Sequence, residues 1–177
     1  APSLFSRLSE FNSLLKNRKP VLFLDYDGTL TPIVKNPEDA ILSDEMRHVL
    51  IQYNSKFPLA IISGRDMDYL IKMVGIEGII YGGSHGFRIS GPDVDWHKGK
   101  AISWILERLN SIEDQKYVPI YIGDDITDED VFKTLPESGI GILVGFHGHK
   151  TQARYSLKNV YQVRIFIEML INKVNGI

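Results

Sequence analysis

Val21-Leu22-Phe23-Leu24-Asp25-Tyr26-Asp27-Gly28-Thr29-Leu30-Thr31-Pro32-Ile33 decides how the rest of the chain is read. Four consecutive apolar residues, closed off upstream by Lys19-Pro20, have the pattern of a strand buried on both faces. The strand runs into two carboxylates one residue apart. In extended backbone, positions i and i+2 point the same way, so Asp25 and Asp27 address one small volume. Gly28 permits a sharp turn, and the Thr29 hydroxyl with the nearby backbone N–H groups is expected to meet an anion. Taken alone, an Asp-x-Asp-Gly is equally an ordinary strand exit made of turn formers. The neighbouring segments separate the two readings.

Working outward, Leu4, Leu8, Phe11 and Leu15 recur at helical spacing ahead of the strand. Behind it, Ser43 followed by Asp44 and Glu45 reads as an N-cap, opening a helix with Met46, Val49, Leu50 and Tyr53 inward. Strands are expected at Phe57–Ile62, Ile79–Tyr81, Tyr117–Ile122, Gly139–Gly145 and, shorter, Ala153–Leu157. A small hairpin arm is expected at Phe87–Ile89. Helices are expected from Asp66 to Val74, from Gly99 with Ile102, Ile105, Leu106 and Leu109 inward, from Thr127 to Leu135, and around Val163–Val174. Strands alternating with helices predict an α/β fold, a doubly wound, Rossmann-like and mainly parallel sheet with helices on both faces. Without a low-complexity linker or internal repeat, residues 1–177 read as one domain.

Composition bounds the function. Twenty Lys and Arg against 22 Asp and Glu leave a net charge of −2, with no electrostatic footprint for nucleic acid or an anionic membrane. The absence of Cys excludes disulfides, thiolate metal sites and a catalytic thiol, and fits a reducing, cytoplasmic setting. No apolar run approaches membrane-spanning length. The chain opens on Ala1, as a trimmed chain would.

Polar clusters punctuate this pattern: Asp25/Asp27/Thr29, Ser63/Gly64/Arg65, Lys98/Lys100 and Asp124/Asp125/Asp128. In a parallel sheet the strand ends share one edge, so such clusters converge. Carboxylates from two strands, with nothing obviously basic between them, would repel, and a hard divalent cation with oxygen ligands, Mg²⁺ by preference, reconciles them. Lysine, hydroxyl and backbone N–H groups around that ion are what a phosphoryl group needs. The residues thus predict Mg²⁺-dependent phosphoryl transfer.

Asp25-Tyr26-Asp27-Gly28-Thr29-Leu30-Thr31, Ser63, Lys98 and Gly123-Asp124-Asp125 resemble the four ordered motifs of the haloacid dehalogenase superfamily of phosphatases. The trehalose-6-phosphate phosphatase branch is resembled more closely still, through Ile61-Ile62-Ser63-Gly64-Arg65, Gly83-Ser84-His85-Gly86-Phe87, Asp95-Trp96-His97-Lys98-Gly99-Lys100-Ala101 and Gly123–Phe132. The matches run from about Val21 to Val144. The resemblance implies that Asp25 is the nucleophile forming an aspartyl-phosphate, and that Asp27 serves as general acid and base and binds the metal through its backbone carbonyl. It implies that Ser63 and the Gly64 N–H hold the phosphoryl group, and that Lys98 neutralises both that group and Asp25. Asp124 would ligate the metal, with Asp125 or Asp128 direct or one shell out. Arg65, Ser84 and His85 would lie near phosphate or sugar.

Plainer readings stand beside several of these. Arg65 could be a solvated residue opening a helix, His85 a hydrogen-bonded loop residue, and Lys100 an exposed helix residue. His147 and His149 resemble a metal pair, but no third ligand accompanies them, and a flexible glycine-rich loop accounts for them better. Asp128, Glu129 and Asp130 could simply charge a helix N-terminus.

The chain departs from the branch at one place. The family's α/β cap falls between segments that here are nearly contiguous, Gly91-Pro92 running into Asp93–Lys100, so the cap expected near 92–95 is missing. A natural capless relative and a chain with the cap excised both account for this, and the neat splice favours excision. Remote sugar contacts raise turnover as well as affinity, so their loss predicts slow or poorly selective hydrolysis. The expected substrate is a small-molecule sugar phosphate, trehalose 6-phosphate first. The alternatives are another sugar phosphate, or a phosphate- or partner-binding module of low turnover.

Overall fold

The computed structural model describes residues 1–83, 98–112 and 117–175. At its centre lies β1 (Lys19–Leu24), whose last five residues are all buried. Around it stand β2 (Leu59–Ile62), β3 (Ile80–Gly82), β4 (Tyr117–Gly123), β5 (Ile140–Val144) and β6 (Tyr155–Leu157). The sheet order is β3-β2-β1-β4-β5-β6 and every pairing is parallel. The chain builds outward from β1 to β3, then crosses back to place β4 on the other flank of β1. That reversal opens a crevice beyond the carboxyl ends of β1 and β4, where open α/β sheets bind ligands.

Strand alternation sorts the core into two layers. Leu22, Leu24, Ile61, Ile120 and Ile122 pack on one face with α1 (Leu8–Leu14), α2 (Asp44–Asn54), α3 (Met67–Val74) and α6 (Val160–Asn175). Val21, Phe23, Ala60, Ile62 and Tyr121 pack on the other with α4 (Lys98–Ile112) and α5 (Glu129–Thr134). The two-faced burial expected for the central strand is thus observed, and each face contributes apolar area at about 25 cal/mol per Å².

Local signals set the helix ends. The Ser43 hydroxyl accepts the Met46 N–H at 3.1 Å, and Met46, Val49, Leu50 and Tyr53 are all buried, as their spacing predicts. Asp66 caps α3 by accepting the Tyr69 N–H, and Gly75, at φ +63°, ends it in the left-handed conformation. The outer strand β6 is covered by the chain's first residues, Ser156 donating to the Pro2 carbonyl at 2.8 Å. Among the described residues no helix is long and apolar enough to cross a membrane.

Several boundaries differ from expectation for physical reasons. The second strand begins at Leu59, because the Phe57 N–H closes the end of α2 on the Tyr53 carbonyl and Pro58 has no N–H to give. The third strand sits one residue later than expected, and the sixth begins two residues later but ends at Leu157 as expected. The helix expected from Thr127 is a 3-10 turn over Ile126–Asp128 followed by the short α5. The expected arm at Phe87–Ile89 and the cap junction near 92–95 lie outside the described residues.

Candidate active site

The first motif is shaped by a tight turn. The N–H groups of Thr29, Leu30 and Thr31 all converge on the Tyr26 carbonyl, and Gly28 donates to the Thr31 carbonyl at 2.7 Å. Gly28 has φ +76°, and a Cβ there would lie 2.5 Å from the Asp124 Cγ, so both its backbone and its missing side chain are required. Tyr26 points away from its neighbours into the core and donates to the Ala40 carbonyl at 2.6 Å. Burial pushes its phenol up to about 12, so it stays a neutral anchor. Asp25 and Asp27 are left on the opposite side, facing an open cleft of about 1440 Å³ that Ser63, Gly64, Arg65, Lys98 and Asp124 also line. Thr29 does not join them. The turn takes up its N–H and leaves its hydroxyl fully buried, without a hydrogen-bond partner among the described residues.

The Asp25 N–H donates to the Ile122 carbonyl at 3.0 Å, which fixes the end of β1 against the end of β4. Asp25 and Asp124 thereby face each other, and with Asp128 they offer three carboxylate oxygens within 4.8 Å of one another. Burial holds the Asp25 carboxyl well above its ordinary range; Lys98 opposes this, while the negative charges of Asp128 and Asp124 add to it. Asp124 is likewise raised, chiefly by burial. Buried, mutually repelling oxygen donors of this kind are the chemistry of a hard cation site.

The expectation that nothing basic lies between the carboxylates is overturned. The Lys98 ammonium sits 3.2 Å from Asp25 Oδ1 and 3.1 Å from Asp128 Oδ1. Burial disfavours its charge, but the two carboxylates outweigh that and hold Lys98 above its ordinary value. The first turn of α4, after a long excursion in sequence, supplies it.

Asp128 carries a different load from the one its position suggested. It is fully buried, so it does more than charge a helix end. Its Oδ1 accepts from Lys98 and, at 2.5 Å, from the Tyr121 hydroxyl. Its Oδ2 accepts the N–H groups of Asp124 and Asp125 at 3.1 and 3.0 Å. A carboxylate has about four acceptor positions, and these four donors use them. Asp125 is exposed, and its carboxylate accepts the Thr127 hydroxyl at 3.0 Å while capping the 3-10 turn reciprocally with Asp128.

Arg65 is not a solvated helix opener but is held against Asp27. Its Nε and Nη2 donate to the two oxygens of Asp27 at 2.8 and 2.6 Å, a fork that matches the carboxylate. The guanidinium lies over the Tyr26 and Tyr69 rings, and its side chain is only 13% exposed. The Asp27 hydrogen bonds, chiefly, raise Arg65 further above its ordinary value. Ser63 accepts the Arg65 N–H at 3.1 Å and lines the cleft. Ser84 and His85 lie outside the described residues, and Lys100 is exposed.

The histidine pair is accounted for without a metal. His147 Nε2 lies 2.8 Å from Glu129, whose other oxygen accepts the Gln152 N–H at 2.7 Å. Glu129 is therefore a buried tie between α5 and the loop after β5. Sequence reasoning missed Tyr121 altogether. A signal was present, since a tyrosine in a fully buried strand needs a partner for its hydroxyl.

A profile of the family described as trehalose-phosphatase matches residues 23–97 and 91–161, most of the chain. The chain belongs to this family. The two matched pieces meet at 91–97, where the sequence places the missing insertion. Among curated trehalose-phosphatase relatives, probable trehalose-phosphate phosphatase 4 of Oryza sativa subsp. japonica is 29% identical over an alignment 259 positions long, covering 96% of this chain and 71% of that protein. Trehalose-phosphate phosphatase B of Arabidopsis thaliana is 28% identical with the same coverages. The Aspergillus fumigatus trehalose-6-phosphate phosphatase, crystal form 3, superposes with a TM-score of 0.75 at 22% identity, over 98% of this chain and 99% of that one. A Moraxella catarrhalis 3-deoxy-D-manno-octulosonate 8-phosphate phosphatase, solved with magnesium ion, phosphate ion and KDO, superposes at 0.59 with 22% identity, over 93% and 92%. The two structural likenesses bear on the fold.

Proposed function

We propose that this trehalose-phosphatase family member hydrolyses trehalose 6-phosphate to trehalose and phosphate through an aspartyl-phosphate at Asp25. One observation carries the reading: a buried carboxylate at the carboxyl end of the central strand, with an ammonium 3.2 Å away and a second strand's carboxylate beside it. Asp25 attacks phosphorus, the bond from phosphorus to the sugar oxygen breaks, and Asp27 gives that oxygen a proton. Asp27 then takes a proton from water, which attacks the aspartyl-phosphate, releases phosphate and restores Asp25. Lys98 faces the charge that builds on the transferring oxygens, and Ser63 and Gly64 line the same cleft. Arg65 fixes the direction of Asp27 before the proton is given up or taken.

Mg²⁺ is the ion we assign to the acidic cluster, held by Asp25 and Asp124 with the Asp27 backbone carbonyl. We rank Asp128 and Asp125 below them: Asp128 already accepts from four donors, and Asp125 is engaged in its turn. When bound, the ion offsets the repulsion between Asp25 and a phosphate dianion. We further infer that residues 1–177 act as one domain without a cap, in the cytoplasm, with weakened sugar selectivity. The test is Mg²⁺-dependent phosphate release from trehalose 6-phosphate and a panel of other sugar phosphates, with Asp25→Asn as control. Release that prefers trehalose 6-phosphate and vanishes in Asp25→Asn supports the whole reading. Weak, even release that still depends on Asp25 keeps the chemistry and attributes the lost selectivity to the missing cap. No release from any substrate refutes the enzyme.

A further inference from the structure

Tyr121 lies on β4, three residues before Asp124 and outside the cleft lining. Its ring is fully buried and meets Phe132 edge-on, with centroids 5.8 Å apart. Its hydroxyl reaches past that apolar layer to the charged network. It donates to Asp128 Oδ1 at 2.5 Å and lies 3.3 Å from the Lys98 ammonium as an acceptor. Lys98 therefore places its three N–H donors on Asp25, Asp128 and Tyr121, at 3.2, 3.1 and 3.3 Å. Burial, followed by the charges of Asp128 and Asp25, holds the Tyr121 phenol well above its ordinary value, so it acts as a neutral donor.

Three points fix an ammonium in space where two leave it free to swing. Lys98 sits on a four-carbon stem with several rotatable bonds, and the Asp25 to Asp128 line alone sets one axis. The tyrosine, with two χ angles and a ring locked by packing, supplies the missing direction. It also holds Asp128 in place, and Asp128 in turn holds the Asp124 and Asp125 N–H groups. We infer that Tyr121 is a positioning residue of the phosphoryl-transfer site, aiming Lys98 at Asp25 through a hydroxyl that never touches substrate. This rests on the phosphatase reading given above.

Tyr121→Phe removes the hydroxyl and keeps the ring. Steady-state phosphate release should show kcat lowered about 10- to 100-fold, the usual effect of losing an outer support, with KM little changed. The same substitution placed on Lys98→Met should cost clearly less than on wild type, because the main route runs through Lys98. Val49→Ala removes core packing on the opposite face of the sheet and should lower Tm without the fall in kcat. Equal kcat in wild type and Tyr121→Phe overturns the inference. So does an equal additional loss on the Lys98→Met background, or a kcat fall in Val49→Ala matching that in Tyr121→Phe, which would mark a general stability effect. Wild-type release in the same assay separates these outcomes from failure of the phosphatase reading itself.

Discussion

Replacing Gly28 with alanine tests the central geometry most sharply, because two separable costs meet there. The first is backbone strain: φ is +76°, and a left-handed conformation costs an L-residue roughly 1–2 kcal/mol. At this chain length that corresponds to a Tm loss of about 2–8 °C. The second is steric. The new Cβ would stand 2.5 Å from the Asp124 Cγ, and ordinary carbon contacts begin near 3.5 Å, so the carboxylate must retreat by roughly 1 Å. A misplacement of that size can cost about 10²-fold in rate, or about 2.7 kcal/mol of barrier. Gly75→Ala is the matched control. Its φ of +63° brings the same strain, but the nearest atom to its Cβ lies 3.9 Å away and belongs to Lys72. Both variants should lose Tm to a similar degree. Only Gly28→Ala should lose Mg²⁺ affinity by titration calorimetry and about 10²-fold in kcat/KM. If Gly28→Ala binds Mg²⁺ and turns over like Gly75→Ala, Asp124 does not hold the ion where we place it.

Arg65→Lys keeps a positive charge and removes the planar fork on Asp27, so kcat should fall about 10-fold, short of the 10²–10⁴ that loss of a general acid itself brings. Calorimetric Mg²⁺ affinity should be unchanged, and a kcat equal to wild type would remove Arg65 from the mechanism. The pH dependence of stability is a separate check. Asp25 is raised in the folded, metal-free chain, so its contribution is present below its unfolded value near 3.8 and is lost as pH rises through the raised value. Mg²⁺ must displace that proton, so the gain in Tm on adding Mg²⁺ should grow from about pH 4 towards neutrality. Melting curves in EDTA and in Mg²⁺ across that range measure it, and a gain independent of pH would contradict a metal site built on Asp25.

Much of this was legible locally. The apolar run before Asp25, the i, i+2 placement of Asp25 and Asp27, the Ser43 cap and the inward face of α2 each rest on interactions within a few residues, and the structure keeps them. Asp124 was legible as a candidate site residue because strand ends in a parallel sheet converge, and Lys98 because its motif resembles the family's. The roles that changed depended on distance. Arg65 meets Asp27 across 38 residues and Lys98 meets Asp128 across 30, pairings that no spacing rule announces. Thr29 is turned inward for a local reason: its turn closes on Tyr26 and buries the hydroxyl.

By itself the sequence determined the alternation of strands and helices, the carboxylates at the strand ends and the family, because these follow from nearest-neighbour backbone preferences and short motifs. Only the tertiary structure decided which carboxylate is left open to a cation and which is saturated, and which cation answers each one. It does so because β1 and β4 are neighbours in the sheet, and the partners of Asp25, Asp27 and Asp128 exist only once that neighbourhood has formed.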